Sequence, residues 1–106
     1  IAAVAESESA SRAVMSMAAD QILNVQDVEA VFVIARTING NYAISSRSTG
    51  NINVQVIMER MNGGGHFTAA ALQREHSSVQ ERRSELIKTL DEYFKEVKEN
   101  ESHHVG

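Results

Sequence analysis

The sequence of 106 residues contains no cysteine, no proline and no tryptophan. The absence of cysteine excludes disulfide bonds and thiolate metal sites. Without proline, helices and strands carry no obligatory break, and turns must rely on glycine, asparagine and serine. No run approaches the roughly 20 apolar residues of a membrane-spanning helix, and no signal-peptide pattern is present. A chain of this length suits one domain with one core.

The charge balance is mildly acidic, with 14 acidic and 10 basic residues and a net charge of -4. This balance disfavours a broad electrostatic grip on duplex nucleic acid. It is compatible with a small anionic ligand in one pocket, because the field of a pocket depends on the groups nearby. The sequence begins at Ile1 and not at methionine, and its first residues are typical of a buried strand. We therefore expect a fragment of a longer protein.

The hydrophobic pattern predicts a small α/β domain with a mixed sheet, helices packed on the sheet and the element order β-α-β-β-α-β-α. Asn39-Gly40 is typical of a tight hairpin, so the second and third strands should be antiparallel. We expect one folded domain over residues 1–98 and a flexible tail over residues 99–106. The predicted helices cover residues 12–25, 54–61 and 79–98, and the predicted strands cover residues 1–5, 30–38 and 42–48. Residues 69–74 could form a strand or a helical turn, and we favour a strand.

The ends and faces of the helices are also predicted by the sequence. Asn51 or Asn53 should cap the second helix, and Asn62-Gly63 should end it with the glycine in the left-handed conformation. Ser78 and Glu81 form a capping-box pattern before the last helix. The predicted buried faces are Met15, Ala18, Ala19, Ile22 and Leu23 in the first helix and Val79, Leu86, Leu90, Phe94 and Val97 in the last.

Three consecutive glycines, Gly63, Gly64 and Gly65, precede His66. Each glycine loses more chain entropy on folding than another residue would. Glycine is therefore typical of positions that need a positive φ or a close approach of the backbone to a neighbouring group. Successive backbone N–H groups can then surround an oxyanion, and His66 would add a donor at the edge. The alternative is a helix C-cap with a flexible turn. The spacing matches neither a Walker loop nor a dinucleotide-binding fingerprint.

Arg47 lies near the end of a predicted strand, between Ser46 and Ser48. Arginine is suited to bidentate contact with phosphate. Strand alternation places Ser45 with Arg47 on one face and Ser46 with Ser48 on the other. The alternative is an arginine that is simply solvated at the end of the strand.

The sequence contains no convincing catalytic or metal-binding set. His103 and His104 lack the supporting carboxylates of a metal site, and His76 lies in a polar turn. No glycine-flanked serine follows a strand as in a nucleophile elbow. We therefore expect no catalytic residue, metal ligand or cofactor in this chain, and a role in binding.

Several of these motifs together resemble a known family. They are Ile44-Ser45-Ser46-Arg47-Ser48, Asn53-Val54-Gln55, Ile57-Met58-Glu59 and Gly63-Gly64-Gly65-His66. The combination resembles the DHH-associated C-terminal domain of the DHH phosphoesterase superfamily, above all that of the membrane-anchored, GdpP-type cyclic-di-AMP phosphodiesterases of Gram-positive bacteria. The resemblance implies that Ser46, Arg47 and Ser48 bind phosphate and that Gly63, Gly64, Gly65 and His66 form the substrate loop.

The resemblance also implies that binding and catalysis belong to two different domains of the parent protein. A preceding DHH domain would hold two manganese ions and cleave the cyclic dinucleotide to a linear one, on the cytoplasmic side of a membrane-anchored parent. The implied ligand is a cyclic dinucleotide or a short nucleotide. The implied protein partners are the preceding DHH domain and, in a homodimer, a second copy of the chain. Two alternatives are a relative that acts on oligoribonucleotides or single-stranded DNA, and a non-catalytic nucleic-acid-binding module. The acidic net charge disfavours the second of them.

Overall fold

The computed structural model describes residues 2–7, 10–37, 41–74 and 79–103, which form five strands and three helices. The predicted α/β class is confirmed, and the sheet has one strand more than expected. The elements are β1 (Ala2–Ser7), α1 (Arg12–Leu23), β2 (Ala30–Arg36), β3 (Tyr42–Ser48), α2 (Val54–Arg60), β4 (Gly64–His66), β5 (Ala69–Arg74) and α3 (Val79–His103).

The five strands form one mixed sheet in the order β1-β2-β3-β5-β4. β1 runs parallel to β2, and the remaining neighbours are antiparallel. The expected antiparallel pairing of β2 with β3 is therefore confirmed, although the Asn39-Gly40 turn lies outside the described residues. β5 occupies the place between β3 and β4, so residues from three separate chain segments lie side by side at this end of the sheet.

Helices cover both faces of the sheet, which explains the continuous apolar run in β2. On one face, Met15 and Ala19 of α1 pack against Val31 and Val33 of β2. On the other face, α2 and α3 cover a larger core that contains Phe32. The predicted strand covered on both sides is thus confirmed. In the described part of the chain, no helix is both long and apolar enough to cross a bilayer.

The ends of α2 follow the expected capping chemistry with one change. Asn53 is the N-cap, and its Oδ1 accepts a hydrogen bond from the N–H of Val56 at 3.2 Å. At the other end Asn62, with φ of 65°, adopts the left-handed conformation that was expected of Gly63. The N–H of Gly63 donates to the carbonyl oxygen of Met58 at 2.7 Å. Asparagine tolerates this conformation, so the helix closes one residue early.

The last helix differs from its prediction in length and in face. α3 continues to His103 instead of ending near Lys98, because no glycine or proline interrupts it. Leu86 and Leu90 are buried as expected, whereas Phe94 and Val97 are 39% and 36% exposed. Tyr93 packs against the core in their place. The Ser78 cap, the side chain of Val79 and the end of the tail lie outside what the structure describes.

The glycine-rich segment is a strand and not only a turn. Residues 64–66 form the short edge strand β4, which pairs with β5. Glycine has little intrinsic preference for strands, so the pairing was not expected from the sequence. The predicted strand over residues 69–74 is confirmed as β5, and it supplies the partner for this segment.

Candidate functional site

The sheet register brings the predicted arginine and the glycine-rich segment to the same face. Arg47 on β3 lies opposite Ala69 on β5, and Ala69 lies opposite His66 on β4. The next row on the same face is Ser45, Ala71 and Gly64. Directly opposed residues of antiparallel strands project to the same side of the sheet. Two chain segments that were predicted separately therefore meet across β5.

This face of the sheet and α1 enclose an open cleft of about 290 Å³. Arg47, Gly64 and Gly65 line the cleft, whereas His66 is exposed beyond it. Ser45 lies in the wall of the cleft and is 4% exposed. The cleft is thus polar at its wall and built on three strands, a rigid support for a small ligand. Its lining residues are Arg12, Ser16, Ser45, Arg47, Gly64, Gly65, Ala69, Ala70 and Ala71.

Two contacts hold the guanidinium of Arg47. Its Nε donates to Oδ1 of Asp20 on α1 at 3.1 Å, and its Nη1 donates to the carbonyl oxygen of Ser46 at 2.8 Å. A guanidinium carries five N–H groups. The other three have no acceptor among the residues that the structure describes. They are the donors with which a fixed arginine can bind an oxyanion.

The helix α1 contributes residues that were not predicted for the site. Arg12 and Ser16 line the cleft, and Asp20 holds Arg47. These three residues follow one another at intervals of four, so they share one face of the helix. The spacing alone predicts that shared face. Only the packing of α1 on the sheet shows that it looks into the cleft, and no other feature of the sequence indicated it.

The three glycines have different environments. A Cβ on Gly65, whose φ is +144°, would lie 2.5 Å from Cα of Ala70, and a Cβ on Gly63 would lie 2.5 Å from the carbonyl oxygen of Ala71. A Cβ on Gly64 would meet nothing within 4 Å. Gly63 and Gly65 are therefore needed for close packing of β4 on β5. Gly64 is the glycine whose open side faces the cleft.

The serines that flank Arg47 lie on the opposite face of the sheet, as alternation predicts. The hydroxyl of Ser46 is fully buried and donates to the carbonyl oxygen of Ala70 at 2.6 Å. The hydroxyl of Ser48 donates to the carbonyl oxygen of Ile52 at 2.6 Å and accepts from the N–H of Gly50 at 2.9 Å. Both hydroxyls support the strand end from which Arg47 projects, and neither lines the cleft.

No metal site is found in the described part of the chain. There, histidine, aspartate and glutamate side chains form no group of three that could hold an ion. His76 and His104 lie outside the described residues, and the side chain of His103 is not described. The cleft itself offers cationic and hydroxyl donors, which suit an anion.

Comparison with known proteins identifies the family. Residues 1–96 match the DHHA1 domain. The chain belongs to the DHHA1 family. This DHHA1 domain is 44% identical over 89 residues to the cyclic-di-AMP phosphodiesterase GdpP of Bacillus subtilis, covering 84% of the chain and 14% of the relative. It is 41% identical over 90 residues to the cyclic-di-AMP phosphodiesterase PdeA of Listeria monocytogenes, covering 85% of the chain and 14% of the relative.

A solved structure shares the fold of this DHHA1 domain at lower identity. The pGpG-specific phosphodiesterase PggH of Vibrio cholerae is similar with a TM-score of 0.51 and 15% sequence identity. The match covers 62% of this chain and 24% of that protein. The chain therefore spans a small part of each of these three phosphodiesterases. The resemblance noted from the motifs is confirmed at the level of the domain family.

Proposed function

We propose that this DHHA1 domain is the substrate-binding part of a cyclic-di-AMP phosphodiesterase and holds one phosphate of the cyclic dinucleotide in the cleft beside α1. The observation that carries the proposal is that Arg47 of β3 and Gly64 of β4 line one cleft. The two relatives described above, of 44% and 41% identity, are both named cyclic-di-AMP phosphodiesterases. A role in binding phosphate also agrees with the guanidinium and hydroxyl donors that line the cleft.

The proposed contacts combine charge with close approach. Arg47 would bind two phosphate oxygens through the N–H groups that Asp20 and Ser46 leave available. Gly64 would allow the ligand to approach the backbone of β4, because no side chain stands between them. His66 would donate from the outer end of the same row. In this assignment Ser46 and Ser48 support Arg47 from the opposite face.

We assign hydrolysis to a DHH domain that precedes this chain in the parent protein. Two manganese ions held there would supply the activated water. The residues of the present chain would bind the dinucleotide and orient its phosphate toward that domain. A parent anchored in the membrane with its catalytic part on the cytoplasmic side, and a homodimer, belong to the same proposal.

The direct test is an NMR titration of the 106-residue chain with cyclic-di-AMP at millimolar concentrations. We expect the largest shifts at the backbone amides of Gly64 and Gly65 and at Nε–H of Arg47. Arg47→Gln should abolish these shifts without unfolding the chain. Shifts confined to α3, or no shifts at all, would contradict the proposal. Tighter binding of a linear oligoadenylate than of cyclic-di-AMP would favour a relative that acts on oligoribonucleotides.

A further inference from the structure

A second arginine lies at the other end of the cleft. Arg12, the first residue of α1, lines the cleft together with Arg47. Its Nη1 donates to Oε1 of Gln73 on β5 at 3.2 Å. This hydrogen bond joins the exposed guanidinium to the sheet and fixes where its positive charge is held. Arg12 therefore places a positive charge at this end of the cleft.

Arg12 and Arg47 are anchored at different points along β5. Arg12 is anchored at Gln73, whereas Arg47 donates to Ser46, which lies opposite Ala70 on β5. Gln73 and Ala70 are three residues apart on one strand, which corresponds to about 10 Å. A phosphate oxygen binds donors only within roughly 3 Å. The two guanidiniums are thus held from different points along the cleft, an arrangement that suits two anionic groups better than one.

The helix gives the same spacing independently. Arg12 and Asp20, which holds Arg47, are separated by eight residues of α1, or about 12 Å of helix. Ser16 lies midway between them, and Ser45 faces the same cleft from β3. The cleft therefore has a cation toward each end and hydroxyl groups between them. This arrangement fits two phosphates joined through less charged groups.

We propose that Arg12 is a second anion-binding residue and that the cleft selects ligands that carry two phosphate groups, one at Arg47 and one at Arg12. The inference rests on the proposed function, since it takes the first phosphate at Arg47 as given. It adds a specificity-determining residue from α1 and a required number of phosphates. Arg12 would contribute through its charge and its fixed position, without taking part in bond cleavage.

The test compares two ligands that differ in phosphate number. Cyclic-di-AMP carries two phosphates and two adenosines, whereas adenylyl-3′,5′-adenosine carries one phosphate and two adenosines. Dissociation constants are measured by NMR titration of the 106-residue chain. Arg12→Gln should weaken cyclic-di-AMP binding about tenfold, the lower end for a charge-assisted contact. The same change should alter binding of the single-phosphate ligand less than about twofold, and Arg12→Lys should recover part of the loss.

Two further variants separate the possible outcomes. Lys88→Gln removes one positive charge from the exposed side of α3, away from the cleft, and should leave both dissociation constants unchanged. Arg47→Gln should weaken both ligands, and if it weakens neither, the proposed function itself fails. Where Arg47→Gln weakens both, an equal loss on both ligands in Arg12→Gln, or no loss on either, would overturn the two-phosphate inference. Thermal melts confirm that every variant is folded.

Discussion

Arg47 on β3 and Asp20 on α1 form an ion pair in which Nε lies 3.1 Å from Oδ1. The pair joins the helix that lines one side of the cleft to the strand that forms its wall. The side chain of Asp20 is 63% exposed, so the ion pair contributes little to the free energy of folding. Its consequence is geometric, because it fixes the orientation of the guanidinium toward the cleft.

Asp20→Ala should weaken cyclic-di-AMP binding about two- to fivefold, which matches the usual strength of an exposed ion pair. Asp20→Asn keeps an acceptor oxygen and removes a negative charge, so its affinity should equal or exceed that of the wild type. The dissociation constants of both variants are measured by NMR titration. Asp20→Ala should have no further effect in an Arg47→Gln background. Tighter binding in Asp20→Ala would show that the carboxylate competes with the ligand and does not position Arg47.

Gly64→Val and Gly65→Val should separate binding from stability. Gly64 has open space around its missing Cβ, so valine should leave the melting temperature nearly unchanged and block the approach of the ligand. Gly65 has φ of +144° and packs on Ala70, so valine should destabilise the chain by at least about 2 kcal/mol. Thermal melts and titrations are run on both variants. A large fall in melting temperature for Gly64→Val with normal affinity would show that β4 has a structural role and does not bind the ligand.

Ser46→Ala should lower stability by about 1 kcal/mol, or roughly 4–8 °C in melting temperature, with little effect on ligand affinity. The hydroxyl of Ser46 is buried and donates to Ala70 on the face opposite the cleft. Calorimetric melting and a cyclic-di-AMP titration of the same sample measure the two quantities. A tenfold loss of affinity in a variant of normal stability would show that Ser46 contacts the ligand.

The fold could largely be predicted from the sequence because its strongest patterns are local. The apolar run of β2, the period of α2 and the alternation that separates Arg47 from Ser46 depend on near neighbours in the chain. β4 could not be predicted, since a glycine-rich strand exists only through its pairing with β5. The exposed position of Phe94 likewise depends on where α3 packs. The local period of the helix cannot supply that information.

The candidate site was predictable to the extent that its residues lie in distinctive local motifs. Arg47 and Gly64 have such motifs, and the structure places them in one cleft. Arg12 and Asp20 have no local motif, and their relation to the cleft depends on the packing of α1 against β2 and β3. Side chains contributed by a covering helix are thus the part of this site that requires the structure.

The isolated chain should not hydrolyse cyclic-di-AMP, even with added manganese. In the proposed function, bond cleavage depends on metal-activated water that another domain supplies. Linear product is measured by chromatography against a blank that contains manganese alone. Turnover clearly above this blank would contradict the assignment of the chain to binding.

If Arg47 binds a phosphate of the substrate, the dissociation constant of cyclic-di-AMP must depend on this side chain, and three variants measure that dependence. Arg47→Ala should weaken binding roughly 10- to 100-fold, and Arg47→Lys should restore only part of the loss because a point charge cannot replace the bidentate fork. Arg83→Ala, the matched control, removes an arginine that pairs with Glu6 outside the cleft and should bind normally. Equal affinities for Arg47→Ala and Arg83→Ala, with both variants folded, would show that Arg47 does not bind the phosphate.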